Sequence, residues 1–258
     1  MKSAAKFDVS RIPVPLGTGS SRRVMKEYIY KRKSVRNYKK ERVKELDVIE
    51  SFLSEIVPLD ASIQTKIKIV EKDQIHTILP FKTLNCIEIT SEKTIQGRMN
   101  AGFMGAQLEL YLYSLGLGAC WMGMASSKEE NYCISLCFGY PNTSSYREVL
   151  QFKRKEWSDF SDQLDENLKP AYYAPSSMNS QPWYFTHETN KVHLWYIPKS
   201  GMFHSLKCTP DKNNQIDLGI CLAYLYVSHK NMKISKEKNK KHLNYLYICT
   251  IQFKEEEK

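Results

Sequence analysis

Two pairs of segments in this chain superpose at nearly the same offset, and a repeat of that period constrains the fold more than any single segment does. VPLDASIQTKIKI can be laid on APSSMNSQPWYFT with Pro58 on Pro175 and Gln64 on Gln181, an offset of 117. The apolar segments GAQLELYLY and GICLAYLY align with Gly105 on Gly219 and Leu108 on Leu222, an offset of 114. Offsets that agree in two separate places point to a duplicated unit. The identities are few, so the halves read as weak copies. With 258 residues, 42% of them hydrophobic, the chain can build one large core or two small ones.

Hydrophobic periodicity predicts the elements within each half. A short helix is expected over 28–33 and a second over 44–56, where Leu46, Ile49, Phe52, Leu53 and Ile56 recur at helical spacing. TKIKIVE at 65–71 and TLNCIEIT at 83–90 are rich in β-branched residues and read as strands. From 101 to 115, Phe103, Leu108, Leu110, Leu112 and Leu115 nearly surround the helix axis, the pattern of a buried central helix, which Gly116 and Gly118 end. Residues 140–160 read as a long connection. After it come a polar helix over 161–168, a turn at 174–182, strands at 183–188 and 191–197, an apolar helix over 216–228 and a strand within 243–253. The opening residues have Pro, Gly and Ser without periodicity. The expected division is therefore a flexible tail at 1–23, one half at 24–155 and another at 156–258.

Lys and Arg outnumber Asp and Glu by 38 to 28, a formal charge of +10. That balance favours anionic partners, whether nucleic acid, an anionic membrane or a phosphate-bearing cofactor. The run HKNMKISKEKNKKH at 229–242 supports a nucleic-acid binder, although lysine runs are more often solvated faces. Seven cysteines without a CxxC pair indicate neither a disulfide framework nor a zinc site. Most sit among apolar neighbours as small core residues, and a reducing, cytoplasmic setting fits them. Cys133 and Cys137 could meet on one helical face, with burial the expected reason. Six histidines show no HxH or HExxH spacing, so no metal site is expected. No apolar run approaches the roughly 18 residues that span a membrane, and no apolar signal segment follows the first Lys.

Three clusters carry candidate chemistry. Arg32, Lys33, Ser34 and Arg36 lie within five residues, a set suited to the several oxygens of one phosphate, because Arg supplies a planar donor fork and Ser a further donor. Taken alone, such a run is more often a solvated basic turn. The loop LGLGACWMGM at 115–124 has glycines that let a backbone approach a flat ligand and aim N–H groups at it. The plain alternative is a glycine helix end running into a strand. APSSMNSQPW at 174–183 surrounds Asn179 and Gln181 with prolines and serines, and the two amides suit a pyrimidine edge. An ordinary polar loop could hold any one of these residues.

These strings resemble the motifs of FMN-dependent nitroreductases. KRKSVRNY resembles the family's opening Arg-x-Ser-x-Arg stretch, and GLGACWMG its Gly-Leu-Gly…Trp-x-Gly loop. FGYP followed by LQFKRK is similar to its Gly-Tyr-Pro turn and basic cluster. APSSMNSQPWYF resembles its Pro-Ser-x-x-Asn-x-Gln-Pro-Trp segment over nearly the full length and is the most specific of the four. The usual order places that segment between the phosphate motif and the glycine loop. Here VPLDASIQTK, without the Ser pair, Asn or Trp, stands in that place, and the intact segment follows the loop. Family members are typically homodimers whose flavin lies at the subunit interface, so the shift resembles the family's tandem single-chain subgroup.

The resemblance implies an α+β, nitroreductase-like fold of two similar halves, each a small, mostly antiparallel sheet packed by helices, arranged as an internal pseudo-dimer. One FMN per chain is implied. Arg32, Lys33, Ser34 and Arg36 would hold its phosphate, with Lys153 or Arg154 closing on it. Backbone N–H groups of Met122, Gly123 and Met124 would face the flavin N5, and Pro175, Ser176, Ser177 and Asn179 would pack against the ring and ribityl side. No protein acid, base or nucleophile is needed, because the flavin carries the chemistry. NAD(P)H is the implied donor and a nitro compound, quinone or similar small molecule the acceptor, with no nucleic-acid or membrane partner and a monomeric chain. The acceptor pocket would fall around 196–215. A second flavin site is not expected, since Asp159, Asp162, Asp165 and Glu166 stand where its phosphate motif should be. The alternative is a flavin-binding protein without turnover.

Overall fold

Residues 19–197 and 210–253 are described by the computed structural model; positions 1–18, most of the expected acceptor pocket and the last five residues lie outside them. Helix α1 (Gly19–Tyr28) buries Met25. Its Arg22 donates to the carbonyl oxygens of Tyr226, of Val227 at 3.2 Å and of His229 at 2.7 Å. Residues from Gly19 onward thus belong to the fold, which corrects the expected tail boundary at Arg23. The expected helix over 28–33 also does not form. The chain leaves the helix at Tyr28, and Arg32 instead bridges Tyr146 in extended pairing. Tertiary contacts to the far end of the chain, invisible to local periodicity, place this helix.

Helix α2 (Leu46–Leu53) is shorter than expected and buries Ile49 and Phe52, the latter stacked on Tyr111 at 3.8 Å. Strand β1 (Thr65–Glu71) follows, then β2 (His76–Thr77), β3 (Asn85–Ser91), helix α3 (Ile95–Ser114), β4 (Gly118–Trp121), β5 (Ala125–Ser126) and β6 (Tyr132–Gly139). Strands β1, β3, β6 and β4 form an antiparallel sheet in that order, while β2 and β5 pair separately. Cys133 and Cys137 lie in β6, Cys133 at a register irregularity, and not on a helix.

In the second half the expected polar helix over 161–168 is replaced by a 3₁₀ turn at Glu166–Leu168, which leads into α4 (Lys169–Tyr173). Asp162 and Asp165 are instead drawn to the His187 ring, at 2.6 and 3.2 Å. Strands β7 (Trp183–Glu188) and β8 (Lys191–Tyr196), helix α5 (Pro210–Ser228), β9 (Lys233–Ser235) and β10 (Leu246–Gln252) complete the chain. Their sheet runs β7-β8-β10-β9. Each four-stranded sheet therefore places its first, second, fourth and third strands side by side, with a long helix between the second and third.

Both long helices are apolar nearly all round because both are buried. Leu108, Leu110 and Leu112 of α3 and Leu218, Leu222 and Leu225 of α5 have almost no exposed surface. Thr94 caps α3 by accepting from Gly97 N at 2.9 Å. The helix ends at Gly116, whose φ of +77° is a conformation glycine adopts without strain. The two helices pack backbone on backbone. A Cβ on Gly102 would run into the Ile216 carbonyl oxygen, and one on Gly219 into that of Met99.

Each long helix also anchors a loop of its own half through a buried amide or acid. Asn100 Oδ1 accepts from Leu59 N at 2.7 Å and Asp60 N at 3.1 Å. On α5, Asn214 Oδ1 accepts from Ser180 Oγ at 2.9 Å, and both Asp217 oxygens accept from Ser177 N at 3.0 Å. No described helix is long and apolar enough to cross a membrane.

Since the added methyl of Gly219→Ala has only backbone to meet, α3 and α5 must separate. Denaturant unfolding is expected to show a loss of about 3 kcal/mol or more.

Candidate functional site

The basic turn after α1 is strung along β4. Lys33 N donates to Ser145 O at 2.9 Å and Val35 N to Ala119 O at 3.0 Å. Gly118 permits the approach, since a Cβ there would lie 2.6 Å from the buried Val35 side chain. Arg32 is consequently 2% exposed, under the sheet, with Nε 3.4 Å from Oε1 of the wholly buried Glu109 on α3. Its guanidinium lies over the Tyr113 ring at 5.7 Å and donates through Nη2 to Ser34 Oγ at 2.8 Å. Burial opposes the Arg32 charge, but the facing Glu109 carboxylate together with the Tyr113 and Tyr224 side chains more than offsets it and holds the group above its ordinary value. Ser34 is half-buried, while Lys33 and Arg36 are exposed.

Two more arginines approach the same place. Arg147 and Arg154 pack on the Phe152 ring, at 4.7 and 5.3 Å. Burial, then the charge of Arg32, lowers the pKa of both, and Arg154 falls to about 10. The Nε atoms of Arg32, Arg147 and Arg154 are all buried without a hydrogen-bond partner among the described residues, the Arg32–Glu109 contact being an ion pair without hydrogen-bond geometry. Arg147 and Arg154 lie within electrostatic reach of Arg32, the one of the three that faces a carboxylate, so positive charge is left uncompensated. Buried N–H donors in that state call for an anion.

Arg154 ties this centre to the second half. It donates to Asn179 Oδ1 at 2.8 Å and to Tyr173 O at 2.7 Å, and Asn179 Nδ2 returns a bond to Lys153 O at 2.9 Å. The loop holding Asn179 is strained: Met178, Asn179 and Gln181 have φ of +51°, +56° and +45°, and Met178 is 89% exposed. Gln181 does not point outward as a recognition amide. It is buried, accepts from Lys155 N at 3.0 Å and donates to Asn179 O at 3.1 Å, so it braces the loop. Pro175, Ser176 and Ser177 are half-buried, with Ser177 N held by Asp217. Burial pushes the Asp217 carboxyl well above the usual range.

The glycine loop reaches the same helix. Gly123 O accepts from Asn213 Nδ2 at 3.1 Å, one turn of α5 before Asp217. Met122 is buried with its N–H donated to Ser135 O at 2.8 Å, so it is no outward donor, contrary to expectation. Gly123 N and Met124 N donate to no acceptor among the described residues. The first turns of α5 thus hold Ser177 and Gly123, and Asn179 of the same loop is tied to Arg154, whose charge reaches Arg32 and Ser34 beside Glu109 of α3. The fold leaves Lys33, Arg36 and Lys153 exposed and Met122 in the core.

A family model described as "Putative TM nitroreductase" matches residues 24–229. The chain belongs to this nitroreductase family. Among solved structures, a Thermotoga maritima protein described as a "putative nitroreductase" superposes with a TM-score of 0.64 at 21% identity, covering 89% of this chain and 93% of that one. That likeness shows the fold, a nitroreductase-like arrangement of antiparallel sheets and helices. An FMN-dependent nitroreductase of Clostridium difficile gives a TM-score of 0.39 at 14% identity, over 51% of this chain and 98% of that one. No curated protein matches.

Sequence reasoning missed several residues that shape this candidate site: Glu109, Tyr113, Arg147, Asn213 and Asp217. A signal existed for two of them. Glu109 in GAQLELYLY and Asp217 in QIDLGICLAY are carboxyl groups on helices otherwise built for burial, and such a group needs a partner. Lys240 of the run at 229–242 is drawn into pairing. Lys240 bonds Glu188 and lies 3.0 Å from Glu237, beside His193, and these three could otherwise gather around a cation.

Glu109→Ala would strand the buried Arg32 charge, with an expected loss of about 3–5 kcal/mol in denaturant unfolding. Asp217 binds its proton more tightly folded than unfolded, where its pKa is roughly 3.9. Its contribution is therefore whole at acid pH and declines as pH rises through that value toward the folded one. Asp217→Asn is expected to flatten this decline in urea midpoints measured from acid to neutral pH.

Proposed function

We propose that this nitroreductase-family chain is an FMN-dependent oxidoreductase that binds one FMN at the seam between two similar halves and moves electrons from NAD(P)H to a nitro compound, quinone or similar small acceptor. The observation that carries the reading is a chain of contacts: Asp217–Ser177 and Asn213–Gly123 hold the Pro-Ser segment and the glycine loop at the first turns of α5, and Arg154–Asn179 links that segment to the buried Arg32 of the basic turn, within reach of the Arg154 charge.

The residues present fit such a cofactor at both ends. At one end, buried Nε donors of Arg32, Arg147 and Arg154 lack partners among the described residues, with Ser34 bonded to Arg32 and Lys33, Arg36 and Lys153 exposed. Those cations would neutralise a phosphate dianion. At the other end, Gly123 N and Met124 N stand beside Asn213, where donors would stabilise negative charge on a reduced ring. Pro175, Ser176, Ser177 and Asn179 would border the ring from the second half. When bound, FMN supplies the two-electron hydride chemistry. The chain's own residues bind and orient it, and none is needed as acid or base.

The internal pseudo-dimer is part of this reading. It is supported by the matching strand orders and by Asn100 and Asn214, which stand 114 residues apart and each anchor a loop of their own half. A single chain would then do what two subunits do elsewhere, and a monomer suffices. A second FMN is disfavoured, because Asp159, Asp162, Asp165 and Glu166 would repel its phosphate.

Purified protein is expected to carry one FMN per chain by absorbance and to be bleached by NADPH under anaerobic conditions. Two flavins per chain, or none after reconstitution, would overturn the proposal. Flavin bound but never reduced would leave a binding protein without turnover. Arg154→Ala is expected to weaken FMN binding roughly tenfold to a hundredfold in fluorescence titration.

A further inference from the structure

Tyr113, wholly buried near the end of α3, meets the basic turn in two ways. The Arg32 guanidinium lies over its ring at 5.7 Å. Its hydroxyl lies 2.6 Å from Lys33 O and 2.8 Å from Ala119 O, and accepts from Ala119 N at 3.2 Å. Ala119 O already accepts from Val35 N at 3.0 Å, whereas Lys33 O has no other donor among the described residues. A phenol has one proton to give, and the shorter contact, to Lys33 O, takes it. Burial pushes the Tyr113 phenol up, so that proton is held through the neutral range.

This bond fixes the direction of one peptide. Lys33 C=O and Ser34 N–H belong to the same planar unit and point opposite ways. With the carbonyl turned to Tyr113, the Ser34 N–H faces away from α3, and it donates to no acceptor among the described residues. Ser34 Oγ accepts from Arg32 Nη2 at 2.8 Å, which leaves its own proton to donate. We propose, on the reading that this turn takes the phosphate of FMN, that Tyr113 is a positioning residue for it: the hydroxyl holds the Lys33–Ser34 peptide so that Ser34 N–H and Oγ stand with Arg32 as donors to the phosphate. Bonds to an ionised phosphate are stronger than neutral ones and depend on alignment. The ring end is held separately, by Asn213 and Asp217 on α5.

The test is fluorescence titration of the flavin-free full chain with FMN and with riboflavin, which lacks only the phosphate. The wild-type chain is expected to prefer FMN. Tyr113→Phe keeps the ring against Arg32 and removes the hydroxyl. FMN binding should weaken roughly fivefold to twentyfold, with riboflavin binding unchanged. A role in packing alone would weaken both alike. In the wild-type chain, hydrogen exchange at the Ser34 amide should be slowed by FMN and not by riboflavin, which decides the matter if the variant fails to fold. Equal loss of both flavins, unchanged FMN binding in the variant, or a Ser34 amide indifferent to FMN would overturn the proposal and leave one FMN per chain standing. A wild-type chain that binds neither flavin would sink the functional reading and this role for Tyr113 together.

Discussion

Two helices can touch backbone to backbone only where one of them lacks a side chain, and the crossing of α3 and α5 depends on that condition. Gly102 lies on Ile216 and Gly219 on Met99, with no room for a methyl group at either. The close approach buries both helices on nearly every side, which explains sequences with little polar face. It also sets what surrounds the crossing. Asn100 on one helix and Asn214 and Asp217 on the other hold loops against the helix flanks, and Asn213 reaches the glycine loop of the opposite sheet. A looser crossing would carry the Pro-Ser segment away from the basic turn.

The electrostatics follow from this packing. Glu109 projects from α3 into an apolar interior and is matched by Arg32, which the basic turn delivers by pairing with β4 and Ser145. A buried ion pair of this kind adds little net stability, because desolvation offsets the attraction. Its consequence is positional. With Arg32 held in place, burial and then its charge depress both Arg147 and Arg154, and three Nε donors have no partner among the described residues. The overall charge of +10 thus has a local focus, and an anion there relieves repulsion that the fold otherwise sustains.

Much of this was legible from residues alone, and the failures share a cause. TKIKIVE, WYFTHE and KVHLWY became strands almost to the residue, because alternating or β-branched runs in a half-buried sheet encode their own geometry. The apolar stretch after Gly102 became a buried helix for the same reason. Helix α1 was misplaced because its partners lie about 200 residues away, where Arg22 caps the end of α5. The polar stretch 161–168 lost its helix because Asp162 and Asp165 bond His187. At the candidate site, Arg32, Ser34, Arg154 and Asn179 were named from motifs and do gather. Met122 was named for a backbone donor that the sheet already uses. Glu109 and Arg147 were missed because their meaning depends on partners distant in the chain.

The most direct test is the electron density of a crystal grown with saturating FMN. The proposed function expects a single flavin, its phosphate among Arg32, Ser34 and Arg154 and its ring between Gly123 and Ser177. A flavin seated elsewhere, or an Arg32–Arg147–Arg154 centre that stays closed while FMN binds another surface, would contradict it.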